Sequence, residues 1–274
     1  MNIVSFDAFR TLRLPGVTFM KPENMFRQKD EILAADWVLF PEYWQVNALV
    51  FGLKKKIFPS LSTYLLGHNK IEMTRAFRML IPLNTPDTEI QANTESRAAE
   101  VWDKMDLPFV AKIPKSSMGE GVFLIENRAD WAAYLARTDI IYAQEFLPID
   151  RDMRIIVVGG QVVAGYWRLQ GQDGFHNNVS RGGQVDISPL HPAAVKLALY
   201  LAEALNLDHA GFDIAMVGDH PYVLEFNRLF GNTGLPDLHI LVADAILTYI
   251  REQTDRDDDP QDPHRPQPPL PIAV

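Results

Sequence analysis

The sequence predicts an α/β fold of the α+β kind, assembled from more than one subdomain. Three observations carry this. Short apolar runs alternate with helical patterns through the first quarter of the chain. A β-rich stretch follows between Phe109 and Trp167. Near the end, the segment from Gly211 to Asn227 has the pattern of a hairpin and is preceded and followed by helix patterns.

Element by element, Asn2 to Phe6 reads as the first strand and Lys21 to Ala35 as a helix. Trp37 to Phe40 and Lys56 to Phe58 give two further short strands. No glycine-rich dinucleotide fingerprint follows the first strand, so this unit is not expected to bind a nucleotide. Helices are expected from Lys70 to about Leu80 and from Thr94 to Met105. Phe109–Ile113, Gly121–Glu126 and Ile140–Phe146 then read as strands, with a helix at Ala129–Arg137. Arg154–Val158 and Gln161–Trp167 form a hairpin through the tight-turn pair Gly159-Gly160. Pro192 sits where a helix can begin, and Ala194, Leu197, Ala198, Leu201 and Leu205 recur at helical spacing. A last helix is expected over Leu238–Glu252. From Thr254 onward the chain is polar and proline-rich and cannot bury a core, so disorder is expected.

Composition narrows the chemistry. The chain has 274 residues, 47% of them hydrophobic, as a globular protein requires. With no cysteine, disulfides, thiolate metal sites and cysteine nucleophiles are excluded. The net charge of -9 argues against general nucleic-acid binding. Residues 251–274 hold three arginines against one glutamate and five aspartates, so the acidity is partly a property of the tail. The apolar stretch Leu238–Ile250 contains Asp244 and falls short of the roughly 18 residues of a membrane span. Asp7 interrupts the first apolar run and no basic start precedes it, unlike a secretory leader; a cytoplasmic location is expected.

The segment GFDIAMVGDHPYVLEFN carries the sharpest chemical signal. Asp213 and Glu225 are twelve residues apart, and a loop centred on Asp219 places them opposite one another. Asn227 falls on the face of Glu225, because strand side chains alternate. Two carboxylates and an amide oxygen then converge, which suits Mg²⁺; paired acids on a solvated hairpin face fit the same spacing. Residues 111–122, AKIPKSSMGEGV, pass from strand to strand through a loop in which Ser116, Ser117, Gly119 and Gly121 would let backbone N–H groups approach phosphate, although a plain hairpin reads the same way. Arg154, Arg168 and Arg181 lie on successive elements, and the guanidinium fork of each suits a phosphate or carboxylate as well as open solvent. His176, His209 and His220 show no metal spacing and read as polar loop residues. Trp37, Phe40, Tyr43 and Trp44 read as a core stripe, and Lys54–Lys56 as a solvated run.

In order along the chain, these segments resemble the ATP-grasp superfamily, and the RimK-like glutamate ligases within it, from about Lys70 to Pro236. The resemblance implies a short Rossmann-like α/β domain over 1–68. A central subdomain at 69–147 and a C-terminal subdomain at 148–253 would clasp the nucleotide, with a disordered tail at 254–274. Lys70 resembles the first nucleotide lysine, Lys112 the second, and SSMGEGV the loop that closes over the phosphates. QEFLP looks like the interdomain strand, placing Gln144, Glu145 and Phe146 at adenine. RDMRIIVVGGQVVAGYWR is similar to the family hairpin that turns Asp152 and Arg154 towards nucleotide or substrate. FHNNVSRGG is similar to the loop that carries Asn178 and Arg181. Asp213, Glu225 and Asn227 fall on the Mg²⁺ (or Mn²⁺) ligands. Lys112, Arg154 and Arg181 would stabilise the reacting phosphoryl group.

The activity implied is ligation of a carboxylic acid to an amine, small molecule or peptide, driven by ATP through an acyl phosphate, with no nucleic acid or membrane as partner. A phosphotransferase and a non-catalytic nucleotide-binding module are the alternatives. One departure from the family concerns the acceptor pocket. Arg228, Leu229 and Phe230 follow Asn227 where small residues are usual, so bulk and charge are expected there, with Arg228 either selecting an anionic substrate or forming a structural ion pair at the strand end.

Overall fold

The computed structural model describes residues 1–114, 121–169, 184–231 and 235–258. The chain divides into two compact units, Met1–Ile57 with His239–Val274, and Phe58–Leu238.

The first unit is built on short strands, of which β1 and β3 are fully buried. β1 (Ile3–Ser5) pairs in parallel with β2 (Val17–Phe19) on one side and β3 (Trp37–Leu39) on the other, and β4 (Lys56–Phe58) completes the order β2-β1-β3-β4. Between β1 and β2, α1 (Ala8–Thr11) starts at Asp7, whose carboxylate accepts from Arg10 N. The expected helix over Lys21–Ala35 is broken. Pro22–Asn24 form a 3₁₀ turn, Asn24 O accepts from both Arg27 N and Gln28 N at 2.9 Å, and α2 begins afresh at Lys29–Ala34. α3 (Tyr43–Asn47) buries Gln45 and Val46, which turns Tyr43 and Trp44 outward; of the expected aromatic stripe, Trp37 and Phe40 alone are core. The last helix, here α9 (Leu238–Asp258), runs six residues beyond Glu252, and Val242, Ile246 and Ile250 line its buried stripe. Thr254 Oγ1 on this helix accepts from Trp37 Nε1 at 2.9 Å. The rest of the expected tail, 259–274, lies outside the described residues.

The second unit holds two antiparallel sheets. α4 (Leu61–His68) and α5 (Lys70–Leu80) are capped by Ser60, which accepts from Thr63 N, and Asn69, which accepts from Ile71 N. The four-stranded sheet has the order β5-β8-β6-β7, from β5 (Thr88–Ala92), β6 (Phe109–Lys112), β7 (Val122–Ile125) and β8 (Ile140–Glu145). Two helices of this subdomain, α6 (Glu95–Lys104) and α7 (Arg128–Leu135), contribute Val101, Trp131 and Tyr134 to a core with Phe109, Ile125 and Ile141.

The five-stranded sheet has the order β11-β10-β9-β12-β13. β9 (Arg151–Val158) and β10 (Gln161–Leu169) turn at Gly159-Gly160, both at positive φ, a conformation that glycine adopts without strain. β11 (Val185–Asp186) is a short edge, and α8 (Pro192–Ala204) connects to β12 (His209–Val217) and β13 (His220–Asn227). Met73 and Phe77 of α5, with Ala198 and Leu201 of α8, cover one face of this sheet through Ile155, Phe212, Ile214 and Phe226. Each aromatic side chain so buried is worth about 1.5–3 kcal/mol. The opposite face carries the charges.

Two bulges decide which residues reach that face. In β10 the pairing shifts between Val162 and Ala164, so Asp152 meets Arg168 and Arg154 meets Tyr166. In β13 Ile214 pairs with Val223 but Asp213 with Glu225, leaving Leu224 extra. The pairing of Asp213 with Glu225 is as expected, but its origin differs. The loop is a two-residue turn at Gly218-Asp219, with Val217 opposite His220, and the bulge supplies the missing residue.

Candidate active site

Across the five-stranded sheet, Tyr166, Arg154, Asp213 and Glu225 form one row, because Arg154 also pairs with Asp213 between β9 and β12. Arg154 reaches Asp213 with two hydrogen bonds, Nε to Oδ1 at 2.5 Å and a terminal nitrogen to Oδ2 at 3.1 Å. Arg168 holds Asp152 the same way, at 2.6 and 2.8 Å, and also lies 2.9 Å from Asp213 Oδ2. Burial disfavours the Arg168 charge, but Asp213 and Asp152 outweigh it, so its pKa lies above the usual value.

Lys70 opens α5, where its charge opposes the helix dipole. Glu225 compensates: Lys70 Nζ lies 3.0 Å from Glu225 Oε2. Burial pushes the Glu225 pKa up, yet Lys70 and Lys112 together, with hydrogen bonds from Lys70 and Asn227, bring it down to about 2, so the carboxylate is ionised. Lys112, at the end of β6, donates to Gln144 Oε1 at 2.7 Å. Its pKa is lowered to about 8, chiefly by burial and further by Lys70, against the opposing pull of Glu225 and Asp213. Gln144 is itself fixed, since its Nε2 donates to Thr88 Oγ1 at 2.9 Å.

Asn227 Nδ2 lies 3.4 Å from Asp213 Oδ2 and 3.3 Å from Glu225 Oε1, so the three expected metal ligands share one point. Two carboxylates and an amide, which offers an oxygen as well as a nitrogen, are the donor set a hard divalent cation takes. Among the described residues no group of three or more His, Asp or Glu side chains is arranged to hold a metal. The fit therefore depends on the amide and on oxygens from outside the protein.

The remaining expectations divide. Asp152 is buried on Arg168 rather than turned to a ligand, because the β10 bulge sets the two opposite each other. Glu145 N donates to Asp87 O at 2.9 Å and Glu145 Oε1 accepts from Asp87 N, so that N–H is committed within the sheet. Phe146, beyond the strand, is 37% exposed. Gly121 O accepts from Ile113 N, which closes the base of the loop. Ser116, Ser117, Gly119, Asn178 and Arg181, and with them His176, lie outside the described residues.

Around Asn227, Phe230 and His209 depart from expectation, and Arg228 has a packing partner. Arg228 places its guanidinium over the Tyr64 ring, 4.7 Å from the centroid. Phe230 is buried, packing where a Cβ on Gly211 would stand 3.0 Å from it. It also stacks on His209 at 4.5 Å, so the bulk is core rather than pocket lining. His209 is a fully buried strand residue, with Nδ1 2.7 Å from Arg228 O. His220 opens β13 and bonds Leu83 O at 2.7 Å. Among residues not assigned to the site from sequence, Arg168 is the chief addition. Its spacing from Asp152 around the Gly159-Gly160 turn is the signal, readable once a bulge is allowed.

The two-sheet fold that carries Lys70, Lys112, Asp213 and Glu225 is that of the ATP-grasp class of protein. The RimK domain protein of Sphaerobacter thermophilus superposes with a TM-score of 0.68 at 16% identity, covering 91% of this chain and 99% of that one. The D-alanine–D-alanine ligase of Bacillus anthracis does so with a TM-score of 0.70 at 13% identity, covering 93% and 99%. Within the class, the RimK-like ATP-grasp domain family matches residues 61–250, and the chain belongs to that family. A probable alpha-L-glutamate ligase of Syntrophotalea carbinolica is 32% identical over 154 residues, 54% of this chain and 51% of that protein. The ribosomal protein bS6–L-glutamate ligase of Salmonella paratyphi B is 33% identical over 134 residues, 47% and 45% respectively. The chain thus spans about half the length of the curated relatives it matches.

Proposed function

We propose that the chain is an ATP-dependent carboxylate–amine ligase that works through an acyl phosphate. The convergence of Lys70, Lys112, Asp213, Glu225 and Asn227 at one point carries the reading. The names of the relatives support an amino acid as one substrate and a peptide or protein amine as another. Use of ATP as the energy source supports a cytoplasmic reaction. The subdomains at 69–147 and 148–253 would clasp the nucleotide, with the chain around Glu145 and Phe146 at adenine.

In the first step a substrate carboxylate oxygen attacks the γ-phosphorus and ADP leaves. In the second, the amine attacks the acyl carbon, loses a proton and expels phosphate. The first step brings a carboxylate onto a polyphosphate, and the second builds negative charge on the tetrahedral oxygen and the departing phosphate, so fixed positive charge lowers both barriers. Mg²⁺ (or Mn²⁺), held by Asp213, Glu225 and Asn227, would supply that charge at the phosphate oxygens. Lys112 brings an ammonium that Gln144 aims and that burial has partly desolvated. Lys70 keeps Glu225 ionised until a ligand arrives. Arg154 offers a guanidinium from the same face, and Ser116, Ser117, Gly119, Asn178 and Arg181 complete the proposed nucleotide set.

A phosphate-release screen over amino acids and short peptides, with mass spectrometry of the products, tests this. ADP, phosphate and a new amide are expected. A phosphorylated acceptor without an amide would point to a phosphotransferase, and no ATP turnover with any acid–amine pair would sink the ligase reading.

A further inference from the structure

Behind the proposed metal point, Asp152, Arg168, Asp213 and Arg154 form, in that order, a linear series of two carboxylates and two guanidiniums. All four are buried. The series is asymmetric. Arg168 is held bidentately by Asp152 and gives Asp213 a single contact at 2.9 Å. Arg154 is held bidentately by Asp213, the carboxylate that ion-pairs with it among the described residues. If Asp213 is drawn towards a cation, Arg168 stays neutralised by Asp152, whereas Arg154 is released with its charge on the site face.

We propose that Asp152 is a positioning residue: it retains Arg168 so that a divalent cation can take Asp213 and free Arg154 alone. The inference rests on Asp213 being a metal ligand, as in the proposed function. Bidentate guanidinium–carboxylate pairs are among the stronger hydrogen-bonded contacts, so the count of guanidiniums on Asp213 sets how well it yields. Without the Asp152 charge, Arg168 turns wholly to Asp213, and a cation must compete with two forks instead of one. The β10 bulge, which sets Asp152 opposite Arg168, then has a chemical role as well as a structural one.

Mn²⁺ binding followed by electron paramagnetic resonance, with and without a non-hydrolysable ATP analogue, tests this without turnover. Wild type is expected to bind. Asp152→Asn is expected to bind at least tenfold more weakly, and Asp152→Asn with Arg168→Gln to return to within threefold of wild type. Asp152→Asn within threefold of wild type would overturn the positioning role. So would a double variant as weak as the single one, since that would mean damaged packing. Should Asp152→Asn fail to fold, Arg168→Lys, too short and unforked to span both carboxylates, is expected to tighten Mn²⁺ binding; unchanged or weaker binding would overturn the inference. A second readout is the pair of arginine Nε–H resonances. Mg²⁺ is expected to open Arg154 to solvent exchange and leave Arg168 protected, and the reverse order contradicts the inference. If wild type binds no Mn²⁺ under either condition, the metal assignment itself falls.

Discussion

Asp213 and Glu225 face each other across the β12–β13 ladder because Leu224 is left over in β13. Side chains on a strand alternate, so a slip of one residue would send Glu225 and Asn227 to the packed face and Phe226 to the charged one. The bulge lets Val223 and Phe226 pack against α5 and α8 while Glu225 and Asn227 reach Lys70 and Asp213.

Glu225 therefore carries the charge that both lysines face. It draws protons onto Lys112, whose pKa of about 8 is set first by burial and then by this pull. Glu225→Gln is expected to lower the Lys112 pKa further and to abolish turnover while leaving the fold intact. Nitrogen NMR of the Lys112 ammonium against pH checks the first effect. A pKa that stayed in place or rose would show that the charges do not interact as the geometry requires.

Asp208 makes the stability of the second unit depend on pH. Burial raises its pKa to about 7, although Ser60 N at 2.7 Å and Thr63 Oγ1 at 3.2 Å favour the charged form. The folded state thus keeps this proton where the unfolded chain, with an ordinary value of 3.8, has lost it. The linked stability is complete below that value and is lost as pH rises through about 7. At about 1.4 kcal/mol per pKa unit, the loss amounts to a few kcal/mol. Urea unfolding at pH 5 and pH 8 is expected to show wild type losing more than Asp208→Asn, whose amide oxygen accepts the same bonds without titrating. Equal losses would rule Asp208 out as the source.

Arg228 is expected to matter for stability and not for substrate choice. Its guanidinium lies over Tyr64, and such contacts contribute about 0.5–1 kcal/mol at exposed sites and more when desolvated. Arg228→Ser should lower the unfolding free energy by roughly that amount and leave the ranking of acid and amine substrates unchanged. Selective loss of anionic substrates would return Arg228 to the pocket.

Much of the fold was legible because its signals are local. α5 begins at Lys70 and α8 at Pro192 as capping and periodicity indicate, and the two glycines at 159 and 160 mark the β9–β10 turn. The site residues were legible as types in order. What escaped is what depends on partners distant in the chain. Neither bulge has a composition signal, so the spacing of Asp152 and Arg168 around the Gly159-Gly160 turn gives their pairing only once the β10 bulge is known. Phe230 and His209 looked polar or pocket-facing by position, but each is the other's stacking partner, 21 residues away. β5, which fixes Gln144 through Thr88, is a five-residue strand in which Glu89 and Gln91 flank Ile90, too weak a pattern to stand out.

The C-terminal end divides at Asp258. Trp37 is buried in β3, and its indole N–H donates to Thr254 Oγ1, which itself donates to Ile250 O at 2.7 Å within α9. Truncation after Gln253 removes that acceptor and the last turn of the helix. A buried donor left without its partner costs about 1–3 kcal/mol, so the melting temperature of the first unit should fall by several degrees. Truncation after Asp258 keeps Thr254 in place and is expected to leave both melting and ATP turnover unchanged. Thr254→Val, which keeps the shape and removes the oxygen, separates the hydrogen bond from the lost helix turn. Melting curves read by tryptophan fluorescence check all three. Destabilisation by the longer truncation with a wild-type melt for Thr254→Val would assign the effect to helix length, and a loss of turnover on truncation after Asp258 would show that residues 259–274 serve the reaction.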